Sequence, residues 1–427
     1  MSRKSENRVV EAVAAVAVLP ANAIAIPNRW AIAAAGVAIQ MMLGTVYAWS
    51  FFKTPFINAH GWAPHMVGVT FALAIFFLGF SAALGGRLVD KAGTKTVASI
   101  AAVLFGAGTF LAGLANDTGN IYLLWIGYGV IGGIGNGLGY VTPVAVLLRW
   151  FPDKKGFITG LAVMGFGLGA AFMSLVAMVT IDQKTGAGLS GTFYVLGIVF
   201  LVGLLIAAQK LVNPPPGYAP RAATGKSKAI PAAESLTLGQ AKSTSQLYIL
   251  WIILFLNVAA GIAVVSNLAY MLNDMKIAGP MVVTTMILGS FCNGVGRLLW
   301  GWLSEKIGRR NIFLLIFLTQ IPLFILLPNI GGYWAFTLVA CYILLCYGGG
   351  FGTMPSFTAD TFGPKNIGAI YGMILLAWGV AGGIGPGLME WFYATTGQFD
   401  IALYIAAGLL TLGLLATLLY RKPKCSE

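Results

Sequence analysis

Twelve stretches of about 20 residues, each apolar and nearly free of charge, run along these 427 residues, and no other feature narrows the fold as far. A helix needs about 20 apolar residues to cross roughly 30 Å of hydrocarbon, and within lipid only helices or closed barrels satisfy their own backbone. The stretches are residues 30–52, 66–85, 96–115, 121–148, 156–181, 192–208, 247–272, 280–303, 311–327, 333–359, 367–389 and 401–420. Composition agrees, with 58% hydrophobic residues, 9% charged and a mean hydropathy of +0.84, values at which a bilayer rather than water is the solvent. The expected fold is an all-α membrane protein of twelve transmembrane helices.

A formal net charge of +13 could suggest a nucleic-acid partner, but the placement of the basic residues excludes it. When loops are assigned to alternate sides of twelve spans, all 26 Lys and Arg residues fall on one side except Lys53, Lys184, Lys276 and Arg297. Short cytoplasmic loops carry this excess, so both termini are expected in the cytoplasm, with the chain in the cell (inner) membrane. Residues 1–28 begin basic and contain Ala21-Asn22-Ala23, a pattern shared with secretory signals. Glu11 interrupts the apolar stretch, and cleavage would set every later loop against its charge, so the segment is read as uncleaved.

Other motifs carry little chemistry. Cys292, Cys341 and Cys346 lie within spans and Cys425 in the tail, which predicts reduced thiols. His60 and His65 sit in or beside one loop, without the clustering a metal or catalytic centre needs, so neither a metal, a cofactor nor enzyme activity is expected. Gly127, Gly129 and Gly132 spell a dinucleotide-binding pattern, yet no strand precedes them. Glycines there instead let helices approach closely. Pro143, Pro355 and Pro386 are expected to bend spans 4, 10 and 11.

The chain divides in two. Residues 213–245 begin Asn-Pro-Pro-Pro-Gly and continue with linker composition, separating a six-helix bundle over 29–212 from another over 246–420, with a tail at 421–427. The halves are copies. GRLVDKAGTK at 86–95, after span 2, reappears as GWLSEKIGRR at 301–310, after span 8, sharing the skeleton Gly-x-Leu-x-acid-Lys-x-Gly-x-basic. Asp90, Lys91, Gly93, Glu305, Lys306, Gly308 and Arg309 are therefore candidate gating-loop residues. The acids can pair with basic groups or cap the helices that follow, and the glycines permit tight turns. Parallel repeats leave a cavity at their interface, where carriers bind substrate near mid-membrane.

One charge is out of place. Arg297 lies within span 8, and holding it in hydrocarbon costs at least ~2.5–3.5 kcal/mol. All thirteen acidic residues fall in loops, tails or span ends, so no mid-span carboxylate is available to it. A guanidinium fork suits a carboxylate, which makes the missing counterion a substrate; the other reading is a long stem that snorkels to the headgroups. Asn293 lies one turn earlier on the same face. Tyr47, Tyr140 and Tyr347 sit within spans, where a phenol needs a partner and can offer one to a carboxylate.

The paired loops resemble the signature of the major facilitator superfamily over residues 29–420. NRW at 28–30, GTVYAWSFFKTPF at 44–56, RWFPDKKG at 149–156 and NGVGRLLWGWLSEKIGR at 293–309 resemble its oxalate/formate antiporters and bacterial monocarboxylate transporters. The resemblance implies a monomeric carrier of small organic anions with Arg297 as the carboxylate-binding group and Tyr47 and Tyr140 lining the cavity. Asn293 stands where relatives of the animal monocarboxylate-transporter type have an aspartate, which removes a candidate proton carrier. Trp378 stands where oxalate/formate antiporters have a second cation, a lysine. A single central cation matches a monoanion such as lactate or pyruvate, entering with a proton, better than oxalate; anion exchange is the alternative.

Overall fold

The computed structural model describes residues 27–182, 185–215, 218, 235–277 and 279–422. Lys184, Cys425 and most of the segment at 1–28 lie outside the described residues. Among the described residues, twelve helices are long and apolar enough to span a membrane: α1 Arg29–His60, α2 Pro64–Ala92, α3 Thr94–Thr118, α4 Ile121–Trp150, α5 Lys155–Thr180, α6 Leu189–Ala208, α7 Ser245–Asp274, α8 Gly279–Ile307, α9 Arg309–Asn329, α10 Tyr333–Phe362, α11 Ile367–Thr396 and α12 Asp400–Leu419. Among the described residues there is no strand. The end bearing Arg29 and Leu419 is called inner below, and the opposite end outer.

Local sequence explains the departures from straight helix. Asn28 caps α1, its side chain accepting from the Trp30 N–H at 2.9 Å. Midway, α1 tightens into a 3₁₀ turn at Gly44–Ala48. Gly44 makes this passage possible, since a Cβ there would lie 1.9 Å from the Phe166 carbonyl of α5. The glycine-rich segment of α4 widens into a π-helical stretch, Trp125–Gly132, and presses against Gly108 of α3. Pro143, Pro355 and Pro386 lie inside their helices, as do Pro55 and Pro322.

Two corrections to the sequence reading concern the inner end. Asp90, Lys91, Glu305 and Lys306 are not in loops, because α2 and α8 run on through them. Only Gly93 and Gly308 make the turns, with φ of 87° and 95° that favour glycine. The helices overshoot the apolar stretches because a helix continues into water wherever its next residues can stay helical. The linker also has structure at its end: Leu238–Lys242 is a short helix with a Thr237/Gln240 capping box. Leu236 donates its N–H to the Phe362 carbonyl at 2.9 Å and accepts from Asn366 Nδ2 at 2.9 Å.

The two halves meet chiefly along α2 against α11 and α5 against α8, the same pairing repeated by the internal symmetry. Both seams depend on absent side chains. A Cβ on Gly86 of α2 would lie 1.9 Å from the Gly368 carbonyl of α11, and one on Gly167 of α5 would lie 2.5 Å from Gly294 Cα of α8. Without an aqueous driving force, close backbone packing is the main attraction between helices in lipid. Gly86→Val should therefore lower stability by about 1–3 kcal/mol through overpacking, measured by thermal unfolding in detergent, whereas Gly383→Val, which meets no atom within 4 Å, should leave it nearly unchanged.

Candidate functional site

Arg297 is wholly buried, and α8 directs it into the seam between the halves. It does not snorkel. Its Nε donates to Asn293 Oδ1 at 3.3 Å, one turn back, and its Nη1 donates to the Val163 carbonyl of α5 at 3.3 Å. Nη2 has no protein partner. The guanidinium carbon lies 5.2 Å from the Phe166 ring centre and 4.8 Å from that of Phe351, one ring from each half, and such contacts attract a cation without neutralising it. Among the described residues no acidic side chain bonds to it.

Seven aromatic side chains gather around this cation: Phe166, Phe351, Trp378 and four tyrosines, Tyr47, Tyr140, Tyr347 and Tyr371, whose hydroxyls lie in its field. Tyr47, set by the 3₁₀ turn of α1, and Tyr347 of α10 share a hydrogen bond of 2.6 Å across the halves. The hydroxyls of Tyr140 and Tyr371 and the indole N–H of Trp378 are buried without a close hydrogen bond, Tyr140 lying beside Arg297 and Tyr371, and Trp378 beside Tyr347. Trp378 packs at ring distances of 6.1 Å from Tyr47, 5.1 Å from Tyr140, 5.4 Å from Phe166 and 4.7 Å from Phe351. The result is a buried aromatic chamber filled by its own side chains, holding one cation and several polar groups without a close partner, chemistry suited to a small planar acceptor.

The structure thus brings Arg297, Asn293, Tyr47, Tyr140, Tyr347 and Trp378 to one place. Phe166, Phe351, Tyr371 and the Val163 carbonyl are additions. Phe351 lies one turn after Tyr347, and Tyr371 is a mid-span phenol that met the criterion applied to the other tyrosines, so both were within reach; nothing local marked Phe166 or a backbone carbonyl.

A cavity of about 430 Å³ reaches toward the chamber from the outer end, between α1, α2, α7 and α11, with Tyr47, Ser50, Lys53, His65, Ser266 and Trp391 in its walls. Arg297 is not among its lining residues. A crevice of about 30 Å³ continues past Tyr47 to Ser290 and Asn293. Lys53 lies over the Tyr270 ring of the other half at 5.1 Å, and His60 bonds Asn116 at 2.9 Å outside the cavity wall.

The inner end is closed by charge. Glu305 of α8 accepts from the N–H groups of Gly156 at 2.7 Å and Phe157 at 3.2 Å, capping α5 in the opposite half. Asp90 of α2 faces the equivalent first turn of α11, at Gly368 and Ala369, and pairs with Arg149 at 2.6 Å. These caps correct the expected ones, which were on the following helices α3 and α9; the tight glycine turns carry those helix starts away, while the symmetry-related seams bring α5 and α11 under the acids. Lys155 crosses the halves to Asp360 at 2.9 Å, and Arg309 joins the same carboxylate at 3.0 Å while also donating to Ser304. Lys306 instead covers the Trp302 ring at 3.9 Å, and Lys91 is exposed, so neither fastens the halves.

An outer cavity, a chamber at the interface of two six-helix repeats and an ion-paired inner seam agree with a family comparison in which the Major Facilitator Superfamily model matches residues 31–268 and 250–427. The chain belongs to this superfamily. It is a multi-pass membrane transporter, not an enzyme. The oxalate:formate antiporter of Oxalobacter formigenes is 26% identical over 84% of this chain and 84% of its own length. Apicoplast pyruvate carrier 1 of Toxoplasma gondii is 26% identical over 73% of this chain and 68% of its own. Among solved structures, a bacterial homologue of the lysosomal transporter Spinster superposes with a TM-score of 0.66 at 15% identity, covering 93% of this chain and 97% of that one, a likeness of fold alone.

Because Glu305 carries two cross-half hydrogen bonds to the positive end of α5, Glu305→Gln should weaken inner closure by roughly 0.5–2 kcal/mol, the usual worth of a cap. Thiol labelling of a cysteine placed at Phe157 should then quicken severalfold relative to the parent in the same assay.

Proposed function

We propose that this transporter carries small monocarboxylates of the lactate and pyruvate class across the cell (inner) membrane, in symport with a proton and as a monomeric unit, by rocking its halves around Arg297. One observation carries the reading: a fully buried guanidinium with a free Nη2 and no acidic partner among the described residues. A buried donor on a charged group left unmade costs about 1–3 kcal/mol or more, and a substrate carboxylate removes that cost. Tyr47, Tyr140, Tyr347, Tyr371 and Asn293 offer further donors to its oxygens, and Trp378 with Phe166 and Phe351 encloses its short carbon chain. The likeness to an oxalate:formate antiporter and a pyruvate carrier supports an organic-anion cargo.

Charge selects among acids. With Trp378 in place of a second cation, a dicarboxylate would bring one unpaired charge into the buried site, at a cost of several kcal/mol. Proton coupling follows from energetics, since importing an anion against a negative-inside potential costs ~2.3 kcal/mol per charge per 100 mV and one proton cancels it. With no acid beside Arg297, the proton travels with the substrate or its hydroxyl partners. The 26% identity to an antiporter favours one second reading, carboxylate exchange. Proteoliposomes separate the two: symport alkalinises the side from which lactate is taken up, whereas an obligate exchanger moves nothing without substrate on the trans side.

Arg297→Ala should abolish accumulation and weaken lactate binding by about 2–5 kcal/mol, roughly thirtyfold or more; normal uptake would exclude this site. Trp378→Lys should raise oxalate affinity relative to lactate, measured by competition in the same vesicles, and unchanged selectivity would contradict the one-cation argument.

A further inference from the structure

The bonds of Arg297 are unequal in what they join. Nε stays within α8, on Asn293, but Nη1 crosses from the C-terminal half to the Val163 carbonyl of the N-terminal half. Phe166, one turn further along α5, adds its ring to the same guanidinium. The crossing falls on a stretch where the backbones of α5 and α8 lie close, since a Cβ on Gly160 would lie 2.6 Å from the Arg297 carbonyl and one on Gly167 2.5 Å from Gly294 Cα. Arg297 is thus a side chain of one half tied to the main chain of the other within the spans, deep to the outer cavity and above the Glu305 and Lys155 contacts that close the inner end.

A carboxylate and the Val163 carbonyl compete for this guanidinium. The carbonyl is a neutral acceptor within a helix, and its bond of 3.3 Å lies beyond the usual N–H···O range. A carboxylate accepts a charge-assisted bond roughly twice as strong and takes two parallel N–H groups in preference to one. Filling Nη2 alone leaves the fork half used; using it fully takes Nη1 from Val163.

We propose that Arg297 is a bolt as well as a receptor: without substrate it fastens α5 to α8 and holds the inner end closed, and a bound carboxylate draws it off the Val163 carbonyl and releases the seam. This rests on the monocarboxylate reading for the identity of the releasing anion but not for the bolt itself. Linkage sets the direction. The guanidinium is free in the inner-open arrangement and engaged in the inner-closed one, so an anion that needs it free binds the inner-open arrangement more tightly and shifts the population that way. Binding energy is thereby converted into motion at the seam, with the Val163 carbonyl of α5 as a coupling rather than substrate-contacting element and Phe166 serving both roles.

Spin labels on cysteines introduced at the exposed inner-end positions Lys95 and Asn311, one in each half and in a background otherwise free of cysteine, report inner-end separation by pulsed dipolar spectroscopy. L-Lactate should lengthen that distance in the parent protein. Arg297→Gln should lengthen it without ligand, raising the inner-open fraction roughly threefold to tenfold, the worth of one lost hydrogen bond, and make it indifferent to lactate. Phe166→Leu, which keeps the donor but loosens its seat, should shift the ligand-free distribution the same way by less. A parent distance unchanged by lactate, with binding registered by thermal shift in the same sample, would overturn the proposal, as would an Arg297→Gln protein as closed as the parent. If lactate does not bind the parent, the cargo reading fails, and the ligand-free comparison of Arg297→Gln and Phe166→Leu with the parent still decides the bolt.

Discussion

A positive charge buried at the interface of two helical bundles, with no acid among the described residues to neutralise it, is the constraint from which the rest of this structure is arranged. Arg297 cannot lose its proton, and the surrounding helices offer it a side-chain amide, a main-chain carbonyl and two aromatic faces. Each of these lowers the cost of burial without cancelling the charge. The site is stable enough to fold and unsatisfied enough to bind, a combination that a neighbouring aspartate would have removed.

The second organising element is the repetition of one device at two seams. An acid at the end of an even-numbered helix, Glu305 or Asp90, meets the first turn of a helix from the other half, α5 or α11. The unpaired N–H groups and the positive end of the dipole make each helix start an anion site, and glycines bring the backbones near enough for the acid to reach. The Lys155–Asp360–Arg309 cluster adds Coulomb attraction at the same end. The inner end is therefore held by many small polar contacts that can be made and broken together, while the outer end carries a cavity of about 430 Å³.

Much of this was legible before folding was considered. The twelve spans, the repeat, Arg297 and its neighbours Asn293, Tyr47, Tyr140 and Tyr347 could be named from patterns of charge and polarity, because a polar group in a long apolar run is conspicuous wherever it lies; Trp378 was singled out only by the family resemblance. Phe166 and Val163 could not. A phenylalanine in an apolar helix is unremarkable in one dimension, and a backbone carbonyl has no sequence signature at all. The caps failed for a different reason: Asp90 and Glu305 were recognised as capping acids, but chain proximity pointed to the next helix, whereas their partners lie 278 to 279 and 148 to 149 residues away.

What the sequence determined by itself is everything that follows from solvent and periodicity: a chain that must live in lipid, cross it twelve times, repeat itself once and keep one charge inside. The tertiary structure decided who meets that charge. Pairing across the two halves depends on where glycines let helices touch and how the repeats rotate onto each other, and these are properties of surfaces brought together from distant parts of the chain, which no local stretch encodes.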